Sequence, residues 1–138
     1  MPTVQLIYAS SVSKDLTVME IKELVNEAQR DNVGFGITGF LCANSQYFLQ
    51  CIEGESRAVN VLFQKISKDV RHHSVAIIKY SEIEVIQFSD WSMGAVLDID
   101  KHMDVVTQFS PDGVFNPYLL SGDDNLNFIL AFSQIRRG

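Results

Sequence analysis

The sequence is short of the residues that would place it in several common classes. Its 138 residues include two cysteines, three prolines and three histidines. Two cysteines make no disulfide framework. Three histidines, two of them adjacent (His72 and His73), make no metal cluster, so no metal is expected. No apolar run approaches the ~20 residues of a membrane span. The opening MPTVQLIYASS lacks both the basic and the long apolar stretch of a secretory signal. Positive charge is scarce as well. Eleven Lys and Arg against seventeen Asp and Glu give a formal charge of −6, which argues against a surface that tracks nucleic-acid or lipid phosphates. The expectation is a cytoplasmic protein with no membrane association and no direct binding of nucleic acid.

What is present is an ordinary globular composition, 46% apolar and 20% charged, at a length that suits one domain needing neither metal nor disulfide. Residues 4–10 (VQLIYAS) read as a strand with Val4, Leu6, Tyr8 and Ser10 on one face. A helix follows, opened by a capping box at Thr17 and Glu20 and carrying an apolar stripe of Val18, Ile21, Leu24, Val25 and Ala28. Residues 36–43 and 47–53 read as a hairpin turning at Asn44-Ser45-Gln46. A second helix is expected from about 55 to 69, with Val59, Leu62, Phe63, Ile66 and Val70 inward, and then strands at Val75–Tyr80 and Met93–Ile99.

This order, βαββαβ, predicts an α+β ferredoxin-like sandwich: a mixed sheet with two helices on one face and the first and third strands side by side at its centre. Beyond residue 97 a short helix within Asp100–Ser110, with Met103, Val106 and Phe109 inward, and a final helix over Asp123–Arg137 are expected. Two acidic residues at the start of the final helix and two arginines at its end suit the macrodipole. Apolar residues cover most of that helix's girth, so it needs a second surface besides the sheet, such as another subunit.

Gly34-Phe35-Gly36-Ile37-Thr38-Gly39 fits G-x-G-x-x-G. A dinucleotide site, however, needs a strand before the motif and a helix after it, and here the order is reversed. Gln50 is more informative. In YFLQCIE it shares a face with Phe48 and Ile52, where an unpaired amide would cost roughly 1–3 kcal/mol. Tyr8, on the neighbouring central strand, also needs a partner for its hydroxyl. Either the two close a core with each other or both address a buried ligand with a flat apolar body. Asn32 suits a helix end. Arg71, His72 and His73 suit the basic end of the second helix, or a phosphate. Trp91 and Met93 alternate onto one face of the last strand segment, with core packing the default for both. Cys42 and Cys51 are read as reduced and structural.

In order and spacing, LIYAS, NEAQRDN, GITGFL, YFLQCIEGE, KDVRHHS and DWSM, from about residue 3 to residue 97, resemble the BLUF family, domains that sense blue light using flavin. The resemblance implies a flavin, usually FAD, held between the two helices by a domain spanning 1–97, with 98–138 as a C-terminal helical extension. It implies Tyr8 as light-driven electron and proton donor, and Gln50 as the bridge from that hydroxyl to the N5/O4 edge of the flavin. Asn32 would bind the ring's other carbonyl side, with Asp31 nearby. Arg71 and His72, with Lys65 as a further candidate, would lie near the cofactor's polar end, and Trp91 and Met93 would relay the signal. The implied protein is a photoreceptor, not an enzyme. It forms a homo-oligomer and acts on a separate downstream signalling protein, since no output domain fits into 98–138. The rival reading is a small ferredoxin-like flavin-dependent oxidoreductase.

Overall fold

A computed structural model describes residues 2–137, apart from the side chains of Arg136 and Arg137. The elements are β1 (Thr3–Val12), α1 (Val18–Phe35), β2 (Thr38–Ala43), β3 (Tyr47–Glu55), α2 (Ser56–Ser67), β4 (His72–Glu82), β5 (Gly94–Val96), α3 (Met103–Phe109) and α4 (Gly122–Arg137). They build a five-stranded sheet in the order β4-β1-β3-β2-β5. β1 lies antiparallel to both of its neighbours, and only β5 joins in parallel, against β2. The ferredoxin-like sandwich is therefore present, with β1 and β3 central as predicted.

Local chemistry accounts for the ends of α1. Thr17 accepts from the Glu20 amide at 3.2 Å while the Glu20 carboxylate accepts from the Thr17 amide at 3.1 Å, the reciprocal box that satisfies helix-end donors. The helix stops at Gly36, whose φ of 67° is the left-handed geometry that glycine takes without penalty. The motif opens inside α1 at Gly34 and closes inside β2 at Gly39, the reverse of the strand-to-helix order that a dinucleotide site needs. The hairpin turn is fixed by Asn44, whose side-chain oxygen accepts from the amides of Gln46 and Tyr47.

Two hydrophobic layers flank the sheet. On one face Val4, Leu6, Tyr8, Phe48 and Ile52 pack under α1 and α2 through Ile21, Val25, Val59 and Leu62. On the other, Ile7, Phe40, Leu49 and Cys51 pack under α3 and α4 through Val106, Phe128, Ile129 and Phe132. Much of the second surface that α4 needed comes from within the chain. Phe128 stacks on Phe115 at 4.9 Å between ring centres and meets Phe109 edge-on.

Four expectations change. Val18, read on the apolar stripe of α1, opens the helix and is exposed. α2 ends at Ser67, and Val70, placed on its inner stripe by spacing, lies outside the helix and exposed. Met103 points outward, and Val105 joins Val106 as the buried side of α3. The last strand contracts from Met93–Ile99 to Gly94–Val96. The arginine complement expected at the end of α4 concerns side chains outside the described residues.

Candidate functional site

Register sets the centre of the site. Tyr8 and Gln50 are direct cross-strand partners on β1 and β3, both on the α1/α2 face and each only 4% exposed. The Tyr8 hydroxyl donates to Gln50 Oε1. The other end of the amide, Nε2, donates to the Met93 sulfur at 3.3 Å. Both polar ends of a buried side chain are thus engaged, as burial requires. Burial pushes the Tyr8 phenol well above its ordinary pKa, and the negative charge of Asp69 adds to the shift. Irregularities in the β1–β4 pairing fall on either side of the stretch Tyr8–Ala9, the kind of bulge that re-aims side chains at a site.

Between α1 and α2 a cleft of about 620 Å³, counted to its open mouth, leads down to this pair. Tyr8, Leu41, Phe48 and Gln50 line it from the sheet, and Leu24, Ala28, Leu62 and Ile66 from the helices. Its remaining lining includes Glu27, Asp31, Lys65, Asp69 and Arg71. An apolar slot with a few convergent polar groups is the form of a small-molecule site.

Asn32, 1% exposed in the last turn of α1, lines the cleft and donates to the Ser92 carbonyl. Lys65 ties α2 to α1 through Asp31 at 2.7 Å. Arg71 grips Asp69 at 2.6 Å and Glu27 at 2.8 Å, bonds that raise the guanidinium pKa further and hold the Asp69 carboxyl below its ordinary range. His72 is half of a structural clasp. Its Nε2 lies 2.7 Å from the Ile66 carbonyl and its Nδ1 2.7 Å from Ser10 Oγ. Because a carbonyl only accepts, Nε2 carries the proton, and in the neutral ring Nδ1 accepts from Ser10. His72 therefore presents its ring to the cleft, with both nitrogens already used.

The structure brings Tyr8, Asn32, Gln50, Lys65, Arg71 and His72 to one cleft; Met93 does not line it and reaches it only through its sulfur's contact with Gln50. It separates Trp91 from Met93. The two precede β5 in irregular chain, so strand alternation does not apply to them. Met93 belongs to the α1/α2 layer, whereas Trp91 packs edge-on against Phe40, 5.2 Å between ring centres, in the α3/α4 layer. Glycine at 94 allows this, since a Cβ there would stand 2.6 Å from the Phe40 ring and 2.9 Å from Trp91. Sequence reasoning placed Asp31 nearby without a role and missed Glu27 and Asp69, the carboxylates that hold Arg71. Glu27 and Asp31, four residues apart on α1, share a face, and that spacing was the available signal.

The arrangement, a phenol and two amides beneath an apolar slot, fits a flat heteroaromatic ring, and at its mouth Lys65 and Arg71 are already paired with Asp31, Glu27 and Asp69, so an anionic tail would have to compete with those carboxylates. A family model described as sensors of blue-light using FAD matches residues 3–94. The chain belongs to the BLUF family. It is 30% identical over 135 residues to the blue light- and temperature-regulated antirepressor BluF of Escherichia coli, covering 94% of this chain and 33% of that protein. It is 33% identical over 87 residues to the photoactivated adenylate cyclase subunit beta of Euglena gracilis, covering 63% of this chain and 10% of that one. The chain thus spans a third or less of these relatives' lengths. Among solved structures, BlsA in its photo-activated state matches with a TM-score of 0.82 at 30% identity, over 92% of this chain and 91% of that one. BlrB in its dark state matches with a TM-score of 0.78 at 29% identity, over 98% and 97%. These BLUF structures share the fold, and a BLUF domain is a blue-light flavin sensor.

Proposed function

We propose that the chain is a photoreceptor in which Tyr8 and Gln50 form the light-driven switch, with FAD as the flavin and residues 1–97 as the unit that holds it. The observation that carries this reading is the buried Tyr8–Gln50 pair at the floor of the α1/α2 cleft, with the Met93 sulfur held against the far end of the amide. Gln50 and Asn32 would hold the polar edges of the ring, and Lys65 and Arg71, with His72 as part of the wall, would face the cofactor's polar end. Bound there, FAD would supply the absorption of blue light and a strongly oxidising excited state.

The roles of the side chains follow from their chemistry. With its pKa raised, Tyr8 stays protonated and neutral in the dark, so its proton leaves only when an electron leaves too. Gln50 receives that proton's hydrogen bond on Oε1 and offers a donor at Nε2. An amide exposes donor and acceptor at opposite ends, so rotation or tautomerisation reverses what it offers to each neighbour. Such a reversal consumes no substrate and biases the segment attached to Met93. The same reading makes the chain a cytoplasmic sensor, not an enzyme, that self-associates and passes its state to a separate protein. Among the described residues, no helix is long and apolar enough to cross a membrane.

The test is incubation of the purified protein with FAD, removal of the unbound flavin, and blue illumination. A small red shift that reverses in darkness is expected, while bleaching to reduced flavin would favour the oxidoreductase, and a colourless protein would refute both. Tyr8→Phe should keep the flavin and lose the red-shifted state; a normal photocycle in that variant would overturn the role of Tyr8.

A further inference from the structure

Residues 92 and 93 lie in irregular chain, yet two amides of α1 hold them. Asn32 Nδ2 donates to the Ser92 carbonyl, and Gln29 Nε2 donates to the Met93 carbonyl at 3.0 Å. Residues three apart share a helix face, so the two side chains act as adjacent rungs on successive peptide groups. Met93 is thereby tied twice: its main chain to α1 through Gln29, and its sulfur to Gln50 Nε2 at 3.3 Å. Gln29 does not line the cleft.

We propose that Gln29 is a positioning residue that, by holding the Met93 carbonyl, keeps the thioether against Gln50 and shortens the life of the rearranged amide. The inference rests on the photoreceptor reading above. A thioether sulfur accepts hydrogen bonds and has none to give. In the observed orientation Gln50 presents an N–H to it. Rotated, Gln50 would present an oxygen, and two acceptors would face each other. With the Met93 main chain clasped and its side chain buried, the sulfur can withdraw only by turning its own side-chain torsions in a packed site, and the rotated amide is pushed back. Unclasped, the 91–93 segment yields and the penalty falls.

Gln29 is exposed, so its bond competes with water and its loss should not threaten folding. Gln29→Met keeps the length and helix preference of the side chain while removing the donor. Gln29→Glu keeps the shape and replaces the donor by an acceptor. Both should slow dark recovery of the red-shifted state by roughly three- to ten-fold, the weight of one ordinary hydrogen bond. Dark absorption, flavin affinity and melting temperature should stay as in the unmodified protein, and dark amide exchange at Gly94–Val96 should speed up. In a Met93→Leu background, where no sulfur opposes the amide, Gln29→Met should leave recovery unchanged. Recovery unaltered by both variants, unaltered exchange at 94–96, or equal slowing in the Met93→Leu background overturns the role of Gln29 and leaves the photoreceptor reading standing. Absence of any red shift in the unmodified protein overturns that reading and this role with it.

Discussion

The two faces of the sheet bury one polar side chain each from the same strand, and they treat it differently. On β3, Gln50 faces α1 and α2, and Glu53, three residues on, faces the opposite layer with no exposed surface. Glu53 accepts from Gln5 Nε2 at 3.0 Å and from the amides of Gln87 at 3.0 Å and Phe88 at 2.9 Å. A carboxylate met by three donors has one satisfied arrangement, and here it fastens the segment after β4 to the sheet. Gln50 has one donor and one acceptor in contact and an open cleft beside it, so a second arrangement is within reach. Polar burial alone does not mark a switch. Burial with exchangeable partners does.

If that contrast holds, damage to the packed face should cost stability, and damage to the cleft face should cost signal. Phe128→Ala removes a fully buried ring that touches Phe109, Phe115 and Phe132. It should lower unfolding free energy by about 3–5 kcal/mol, read from urea titration. Glu53→Ala orphans three donors and should cost about 3 kcal/mol, with faster amide exchange at Gln87 and Phe88. Gln50→Leu leaves only the Tyr8 hydroxyl without its partner, so a loss of about 1–2 kcal/mol is expected, together with complete loss of the red shift; a full reversible shift would erase the distinction between the faces.

Acidity sharpens the same comparison. Burial raises the Glu53 pKa above its ordinary 4.5 more than its hydrogen bonds lower it. The folded state therefore holds this proton more tightly than the unfolded chain does. That contribution is fully present below pH 4.5 and is lost as pH climbs through the raised folded value. Urea midpoints across this window should slope downward with pH, and Glu53→Gln should flatten the slope. Smallest of all, Lys65→Ala breaks an ion pair whose lysine side chain is 63% exposed, and the melting curve should shift by no more than about 0.5 kcal/mol implies.

Much of this was legible before any coordinates. Period-two alternation in VQLIYAS and YFLQCIE places Tyr8 and Gln50 on one layer, because a strand must send alternate side chains to opposite faces. The Thr17–Glu20 box and the Asn44 turn are local chemistry, and both form as read. Reading failed where no period operates. Trp91 and Met93 are two apart, yet they go to opposite layers because the chain there is irregular and Gly94 leaves room for an indole beside Phe40. Spacing also put Val70 on a helix that had already ended.

The sequence by itself determined the order of the elements, the faces of β1 and β3 and the polar pair between them, since helix caps, turns and alternation act over a few residues. Only the tertiary structure decided which carboxylates hold Lys65 and Arg71, which side of the sheet α4 covers, and that Met93 rather than Trp91 meets Gln50. Those choices join residues tens of positions apart, and they are made by packing and by the need to satisfy every buried polar atom, constraints that no local pattern contains.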